Sequence, residues 1–170
     1  MAVLNVNPTR MELTRLKKQL STALRGHKLL KDKRDELMRQ FLDMIRETKT
    51  LREEVEERLK SVNNDFLLAS SVMSKEELDT ALLAPKQEVY LEASTRNVMS
   101  VDIPVYSFKT RTSEQSDIFS YGFASTSFEL DDAVSGLSDL LPKMLKLAEM
   151  EKSVKLMADE IEKTRRRVNA

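Results

Sequence analysis

Residues 13–72 read LTRLKKQLSTALRGHKLLKDKRDELMRQFLDMIRETKTLREEVEERLKSVNNDFLLASSV. Apolar residues recur here at alternating spacings of three and four, and no proline interrupts residues 9–84. Counted from the first leucine, thirteen of eighteen seam positions are apolar. A seam sustained over this length is typical of a coiled coil. The sequence therefore predicts one very long helix over residues 9–84, which begins beside Asn7 and Pro8 because proline is tolerated in the first helical turn.

The composition agrees with long helices and disfavours most enzymes. The 170 residues include 28 Lys and Arg, 28 Asp and Glu, only 5% aromatic residues, three glycines and four prolines. Cysteine is absent, which excludes thiolate metal sites and cysteine nucleophiles, and a single histidine leaves little for acid–base chemistry. No apolar run approaches the roughly 18 residues of a membrane span. We expect a soluble protein without catalytic residues, metal site or cofactor.

The sequence changes character over residues 85–130. Apolar and polar residues alternate in two runs, which predict strands from Val89 to Arg96 and from Val98 to Val105. The turn is expected near Arg96 and Asn97, and Pro104 indicates an edge strand because proline cannot donate to a ladder. A loop rich in Ser and Thr should follow. Its expected aromatic anchor is Phe119, Tyr121 and Phe123.

Helical spacing returns over residues 131–170, and this second helix should run back along the first. Its expected seam is Leu140, Met144, Leu147, Glu151, Val154, Ala158, Ile161, Arg165 and Val168. Pro142 either starts this helix or kinks a preceding turn, and the sequence leaves both open. Equal rise along both helices would place residue 170 beside residue 35. The apolar stripe of residues 9–34 would then need a longer natural chain or a partner protein to cover it.

The predicted fold is mainly α: a long two-stranded antiparallel coiled coil with a small β-hairpin head between its helices. Charge is uneven along it, since residues 10–34 carry nine Lys and Arg against two acids, whereas residues 52–92 carry five against ten. Such runs usually form a solvated face. The functional alternative is a basic shaft held in a partner's socket. Nucleic acid is a poor candidate, because no aromatic residues interleave the basic ones.

Several strings outside the simple heptad pattern stand in order along the chain. They are NPTR at 7–10, LKKQL at 16–20, RGHKLLKDKRD at 25–35, NVMSVDIP at 97–104, LLPK at 140–143 and EIEKTRRRVNA at 160–170. This ordered set resembles the D subunit of V-type and archaeal-type rotary ATPases, in a bacterial version. Members of that family continue past the last string, so the resemblance implies that the second helix is truncated here.

The resemblance implies a central-stalk rotor shaft that does no chemistry. Such a shaft transmits torque between ATP hydrolysis or synthesis in a catalytic hexamer and ion translocation in a membrane ring. The implied partners are the catalytic A and non-catalytic B subunits, the small central-stalk F subunit, and a connector to the membrane rotor ring. The implied location is cytoplasmic, peripheral to the inner membrane as part of the V1 sector. Neither nucleic-acid binding nor direct membrane insertion is expected.

The resemblance also suggests site residues. Candidate contacts with the catalytic ring are Arg10, Lys17, Arg25, Lys28, Lys31, Arg34, Arg165, Arg166 and Arg167. Each is alternatively a solvent-facing charge, and the seam residue Arg34 alternatively packs its stem and sends its guanidinium outward. Candidates for docking the companion subunit by strand addition are Val89, Leu91, Val101, Ile103 and Val105, which alternatively pack on the coil.

Gly26 lies within the predicted first helix. Glycine costs about 1 kcal/mol in a helix interior, so we expect either close approach of a neighbouring backbone at Gly26 or a tolerated surface glycine.

Two rival functions remain open. A prefoldin-like chaperone would also have antiparallel helices joined by β-hairpins, but its helices would be matched in length and would have apolar tips. A passive coiled-coil scaffold is the second rival. Neither rival needs to bind an ATPase ring.

Overall fold

The computed structural model describes residues 7–112, 114–122, 124 and 126–169. Helix α1 (Arg10–Val72) is followed by the short helix α2 (Lys75–Leu82), strands β1 (Val89–Val98) and β2 (Val101–Thr110), a 3-10 turn (Gln115–Ile118) and helix α3 (Phe128–Asn169). Helix α3 packs antiparallel along α1, and the two strands form a hairpin between them in sequence. The predicted helical hairpin with a β-hairpin insert is confirmed.

The single helix expected over residues 9–84 is divided in two at Met73 and Ser74. The Ser74 hydroxyl accepts a hydrogen bond from the Glu77 N–H at 3.3 Å, and the Glu77 carboxylate accepts one from the Ser74 N–H at 3.0 Å. This reciprocal pair starts a new helix. The hydrogen bonds that the Ser74 N–H and, at 2.9 Å, the Ser74 hydroxyl donate to the Glu77 carboxylate hold the pKa of Glu77 below its ordinary value. The S-x-x-E signal was present in the sequence, but the continuing apolar seam hid it.

Contacts between α1 and α3 fix the register of the coil. Lys33 Nζ lies 3.5 Å from Glu160 Oε1, and Lys143 pairs with Glu54. Including Arg52 with Glu151 and Val62 with Gly136, the numbers of the facing residues add up to between 193 and 203. By these sums Asn169, the last described residue of α3, lies opposite about residues 24 to 34 of α1. The expectation that residue 170 lies beside residue 35 concerns a residue outside the described ranges.

The buried row of α3 differs from the expected seam. Its members in the C-terminal half are Ser153, Met157, Ile161 and Thr164. Glu151 and Arg165, which the sequence placed in the seam, are exposed. Helix α3 contacts α1 on one side and β2 on another, so a single heptad row does not describe its burial. Two of the four buried positions are polar, and an apolar count overlooks such positions.

The hairpin turn lies at Met99 and Ser100, and the expected turn at Arg96 and Asn97 is wrong. Val98 faces Val101 across the closing pair, and the φ angles of Met99 and Ser100 are 52° and 71°. Two consecutive left-handed residues are typical of the I′ turn, which normally selects Asn or Gly. Here the Asn97 side chain accepts a hydrogen bond from the Ser100 N–H at 3.1 Å. No Asn-Gly pair marks this position in the sequence, so the turn could not be located from composition.

The hairpin lies along the side of the coil. Its tip contributes Val101 and Ile103 to a core with Leu37, Met157 and Ile161. Further from the tip, the Tyr106 N–H donates to Glu149, and the base of the hairpin lies near Leu137 and Leu141 of α3. A second core joins the ends of the three helices. It contains Ala69, Met73, Ala81 and Leu130.

Two further expectations concern α3 and the loop before it. Pro142 lies inside α3, fourteen residues after the helix begins, so it does not start the helix. Because proline has no N–H, the Ser138 carbonyl lacks its usual partner one turn later. In the loop, the rings of Phe119 and Tyr121 are 6.0 Å apart in an edge-on contact, while Phe123 lies outside the described residues.

Candidate functional site

Basic side chains dominate the exposed N-terminal part of α1. Arg10, Lys17, Lys28 and Lys31 are exposed, and none of them makes an ion pair or side-chain hydrogen bond within the described residues. Their spacings of seven, eleven and three place them on one face of the helix. Leu24 belongs to the same row and is also exposed. We call this row the basic face of α1.

The other basic candidates have varied surroundings. Arg25 donates to the Ser21 hydroxyl at 3.0 Å. Arg34 is half-buried, and its guanidinium donates to Asp35 Oδ1 at 2.9 and 2.6 Å, as expected for a side chain that packs its stem and sends its charge outward. Arg166 pairs with Glu162, while Arg165 and Arg167 are exposed and have no ion-pair partner in the part of α3 that is described.

The end of α3 extends the basic zone of α1. By the register of the coil, Arg165, Arg166 and Arg167 lie beside about residues 26 to 32 of α1. Apolar residues of α1 remain exposed next to this zone: Leu13 is 53% and Leu20 is 59% exposed. The expected uncovered stripe is thus present among the described residues.

The close approach expected at Gly26 occurs at another glycine. No heavy atom of the described chain lies within 4 Å of a Cβ built on Gly26, apart from its own local backbone. A Cβ on Gly136 would instead lie 2.9 Å from Val62 Cγ2. Gly136 therefore allows α3 to approach α1 closely. The sequence gives no sign of this approach, because it depends on which residue of α1 faces Gly136.

The five apolar candidates for docking a companion subunit have unequal exposure. Val101 and Ile103 are buried against the coil, and Val105 is half-buried. Val89 and Leu91 on β1 are 41% and 50% exposed. The surface that remains available on the hairpin therefore belongs mainly to β1.

Glu149 joins the hairpin to α3. Its carboxylate accepts hydrogen bonds from the Tyr106 N–H at 2.9 Å and from Lys146 Nζ at 2.7 Å. Burial of the carboxylate opposes ionisation, but these two donors and the nearby charge of Arg96 outweigh it and hold the pKa of Glu149 below its ordinary value. A largely buried carboxylate thus remains charged at neutral pH and fixes the outer edge of β2 to the coil.

The opposite end of the molecule is acidic and apolar. Residues 61–86 and 114–139, which include the α1–α2 corner and the start of α3, carry ten acids against two Lys. No ion pair involves a described residue of these two ranges. Large exposed apolar side chains share this end: Leu68, Val72, Leu82, Leu83 and Phe128. We call it the acidic end.

Among the residues that the structure describes, no group of three His, Asp or Glu side chains is placed to hold a metal ion. No helix in the described ranges is both long and apolar enough to cross a membrane. The paired acids Glu53, Glu54, Glu56 and Glu57 are exposed on one helix.

Together, the long helical pair, its basic face and its acidic end define a coiled-coil stalk. The family model for the ATP synthase D subunit matches residues 12–170, and the chain belongs to that family. It is 64% identical to a V-type ATP synthase D subunit of Acetivibrio thermocellus over 170 residues, which cover the whole chain and 77% of that relative. It is 61% identical to the Clostridioides difficile protein of the same name, again over the whole chain and 76% of the relative. The Clostridium novyi protein of that name is 56% identical, with 79% of its length covered.

Proposed function

We propose that this chain is the central-stalk rotor shaft of a V-type rotary ATPase. In this role it transmits torque between ATP hydrolysis or synthesis in a catalytic hexamer and ion translocation in a membrane ring. The shaft itself performs no catalysis. It works in the cytoplasm, peripheral to the inner membrane, within the V1 sector.

The lengthwise separation of charge on a stiff rod is the observation that carries this proposal. Helix α1 has 63 residues and is therefore about 95 Å long. Its basic face stands at one end and the acidic end at the other. A rod that couples two different bodies needs two different ends, and a solvated surface alone would not require such a division.

The basic end suits a turning contact with the A and B subunits. A rod placed off-axis inside a ring meets the catalytic interfaces differently, and it biases their nucleotide states only through those differential contacts. Exposed ion pairs are individually weak, commonly about 0.2 to 1 kcal/mol. Lys and Arg side chains therefore allow contacts that form and break as the shaft turns. Deeply interlocked apolar contacts would instead resist rotation.

The coil suits the transmission of torque. Its two helices are held by a packed seam and by cross-helix ion pairs such as Arg52 with Glu151, 3.4 Å apart. Bending or twisting the coil would strain the backbone hydrogen bonds of both helices and the packed seam between them, so the coil resists both deformations.

The remaining partners belong to the other two surfaces. The small central-stalk F subunit docks on the hairpin, where Val89 and Leu91 are exposed and Val105 is partly accessible. The connector to the membrane ring receives the acidic end, where Leu83 and Phe128 are 80% and 72% exposed. Exposed apolar side chains surrounded by polar residues are typical of a protein interface.

A reconstituted catalytic ring tests the proposal. The triple variant Arg10→Glu, Lys17→Glu, Lys28→Glu reverses charge on the basic face, and Lys60→Glu, Lys152→Glu, Lys155→Glu is the matched control elsewhere on the coil. We expect the first to bind the ring at least about tenfold more weakly, and to lose rotation at low salt, while the control binds normally. A parent chain that does not bind the ring would favour the chaperone or the scaffold. Equal binding by both variants would remove the basic face from the mechanism.

A further inference from the structure

Strand β1 has an open hydrogen-bonding edge. The Arg111 N–H donates to the Glu88 carbonyl at 2.9 Å, which fixes the phase of the ladder. Hydrogen-bonded and non-hydrogen-bonded pairs alternate along antiparallel strands. The residues whose main-chain groups point away from β2 are therefore Val89, Leu91, Ala93, Thr95 and Asn97. Among the described residues, none of their main-chain groups bonds outside the hairpin.

The outer edge of β2 is not available in the same way. By the same alternation, Pro104 and Tyr106 direct their main-chain nitrogen atoms outward. Pro104 has no N–H to offer, and the Tyr106 N–H donates to Glu149. The position of Pro104 also explains why it does not disrupt the ladder. An added strand can therefore pair with β1 but not with the central part of β2.

The open edge is long and unprotected. Strand β1 has ten residues, about twice the usual strand length. Natural proteins commonly protect exposed edges with proline, lysine, a bulge or a covering segment. Strand β1 contains neither proline nor lysine, and nine of its ten residues are exposed. Its two charged residues, Glu92 and Arg96, stand at positions whose main-chain groups point towards β2 and not at the open edge. Such an edge is a template for pairing with another chain.

An apolar groove lies beside the open edge. It has a volume of about 450 Å³ between the base of the hairpin and α3, and its apolar lining includes Val89, Phe108, Val134, Leu137 and Leu141. Val89 belongs both to the open edge and to the groove, so the two features are continuous. Of the charges nearby, Glu92 contacts Lys109 at 2.8 Å and Glu88 contacts Arg111 at 3.6 Å, while Glu114 lines the groove itself and makes no ion pair within the described residues. The lining is mainly apolar and includes no Lys or Arg, so the groove fits an uncharged apolar side chain.

We propose that β1 accepts an edge strand of a partner protein as the third strand of this sheet, and that an apolar side chain next to that strand fills the groove. The partner must have an unpaired edge strand and an exposed apolar anchor. Main-chain hydrogen bonds supply affinity in this mode, and the groove supplies specificity. The partner that we assign to this edge is the small central-stalk subunit, so the inference rests on the proposed function. It places strand addition on β1, not on Val101 and Ile103 of β2.

Two substitutions in the full chain test the two parts of this interface against the purified small central-stalk subunit. Ala93→Pro removes one outward N–H and no ladder donor, and Ala93→Val is its control. Leu137→Ser shortens the groove lining at a half-exposed position, and Leu24→Ser alters an exposed leucine far from the groove. We expect Ala93→Pro to weaken binding about tenfold, and Leu137→Ser about fivefold, with both controls within about twofold of the parent. Protection of the Tyr106 amide from hydrogen exchange reports that the hairpin remains folded.

The outcomes distinguish this inference from the rotor function. If the subunit binds and Ala93→Pro has no effect while the Tyr106 amide stays protected, strand addition at β1 is wrong and the rotor proposal stands. If Ala93→Pro also exposes the Tyr106 amide, the hairpin is disturbed and the test rests on Leu137→Ser. A loss of affinity in Leu137→Ser then supports docking at the groove, and unchanged affinity in that variant overturns the proposal. If the parent chain does not bind the subunit, both the partner and the edge pairing are overturned. Self-association of the chain that Ala93→Pro abolishes would show that a second copy occupies the edge, which would also overturn the proposal.

Discussion

The carboxylate of Glu149 on α3 accepts a hydrogen bond from the main-chain N–H of Tyr106 on β2, at 2.9 Å. This contact lies halfway along the hairpin, between the apolar core at its tip and the groove at its base. It satisfies an outward-pointing N–H with a charged acceptor, and hydrogen bonds to charged groups are stronger than neutral ones. The hairpin is therefore held to the coil by apolar packing at the tip and by the charged Glu149 in the middle.

Glu149→Ala should loosen the hairpin without unfolding the coil. The change leaves the Tyr106 N–H without its acceptor and removes a charge that Lys146 contacts, so we expect a loss of about 1 to 2 kcal/mol in the free energy of unfolding. Hydrogen exchange should show the loss at the amides of β2 before those of α1. Asp159→Ala removes an exposed carboxylate of the same helix that makes no ion pair within the described residues, and is the control. Equal effects of the two substitutions would contradict a special role for Glu149.

The same contact should make hairpin docking sensitive to acid. Because the pKa of Glu149 is lower in the folded chain than its ordinary value of 4.5, its contribution to stability is fully present above about pH 4.5. It is lost as the pH falls through the lower, folded pKa. The groups facing the carboxylate are Lys146, Arg96 and the Tyr106 N–H, all donors or cations.

Amide exchange of β2 relative to α1, followed from pH 7 to pH 3, measures this dependence. The comparison with α1 is needed because acid also weakens the coil itself. The hydrogen bond from Lys143 on α3 lowers the pKa of Glu54 on α1, so protonation of Glu54 removes a stabilising contact between the two helices. Glu149→Gln should flatten the pH dependence of β2 protection. A parent chain whose β2 protection does not change in acid, relative to α1, would contradict the prediction.

The sequence predicted the fold where one physical signal dominates. Long-range apolar periodicity was sufficient for the helical pair, and alternation was sufficient for the two strands. Local signals were misjudged where packing or side-chain capping overrides periodicity. The capping box at Ser74 divides an apolar run, and the turn at Met99 and Ser100 uses residues that rarely adopt left-handed backbone angles.

The candidate site was harder to predict because its features depend on the relative placement of elements. Charge counts alone indicated the basic end of α1, since a charge on one helix needs no tertiary structure to be recognised. The open edge of β1 depends instead on which strand α3 covers, and Glu149 gives no sign of its role until Tyr106 is placed beside it. A single sequence holds neither piece of information.

Two glycines in the coil should respond to alanine in opposite ways. Gly26→Ala places a methyl group in open space and should stabilise the chain by about 1 kcal/mol through helix propensity. Gly136→Ala places its Cβ 2.9 Å from Val62 Cγ2, and β-branched Val62 has little freedom to move away. We expect a net loss of about 1 to 2 kcal/mol there. Urea unfolding measures both changes, and in a Val62→Ala background Gly136→Ala should no longer destabilise.

The turn of the hairpin should be improved by glycine. Ser100 is exposed and has a φ of 71°, a conformation that costs a non-glycine residue roughly 1 kcal/mol. Ser100→Gly removes this cost and keeps the N–H that donates to Asn97. We expect slower amide exchange in β1 and β2 and a higher midpoint of thermal unfolding. Ser100→Ala retains the strain and should give no gain, so equal stabilisation by both substitutions would argue against strain at this turn.

The buried hydroxyl of Thr164 should be a weak point of the coil. The residue is 1% exposed, and its Oγ1 has no hydrogen-bond partner among the described atoms. An unpaired buried hydroxyl typically costs about 1 to 3 kcal/mol, so Thr164→Val, which keeps the shape, should raise the free energy of unfolding by about 1 kcal/mol. Ser153→Ala is the matched control. The Ser153 hydroxyl is equally buried but donates to the Glu149 carbonyl at 2.7 Å, so its removal should give little or no gain. Urea unfolding of both variants measures the difference, and a destabilised Thr164→Val would mean that this hydroxyl has a partner in solution.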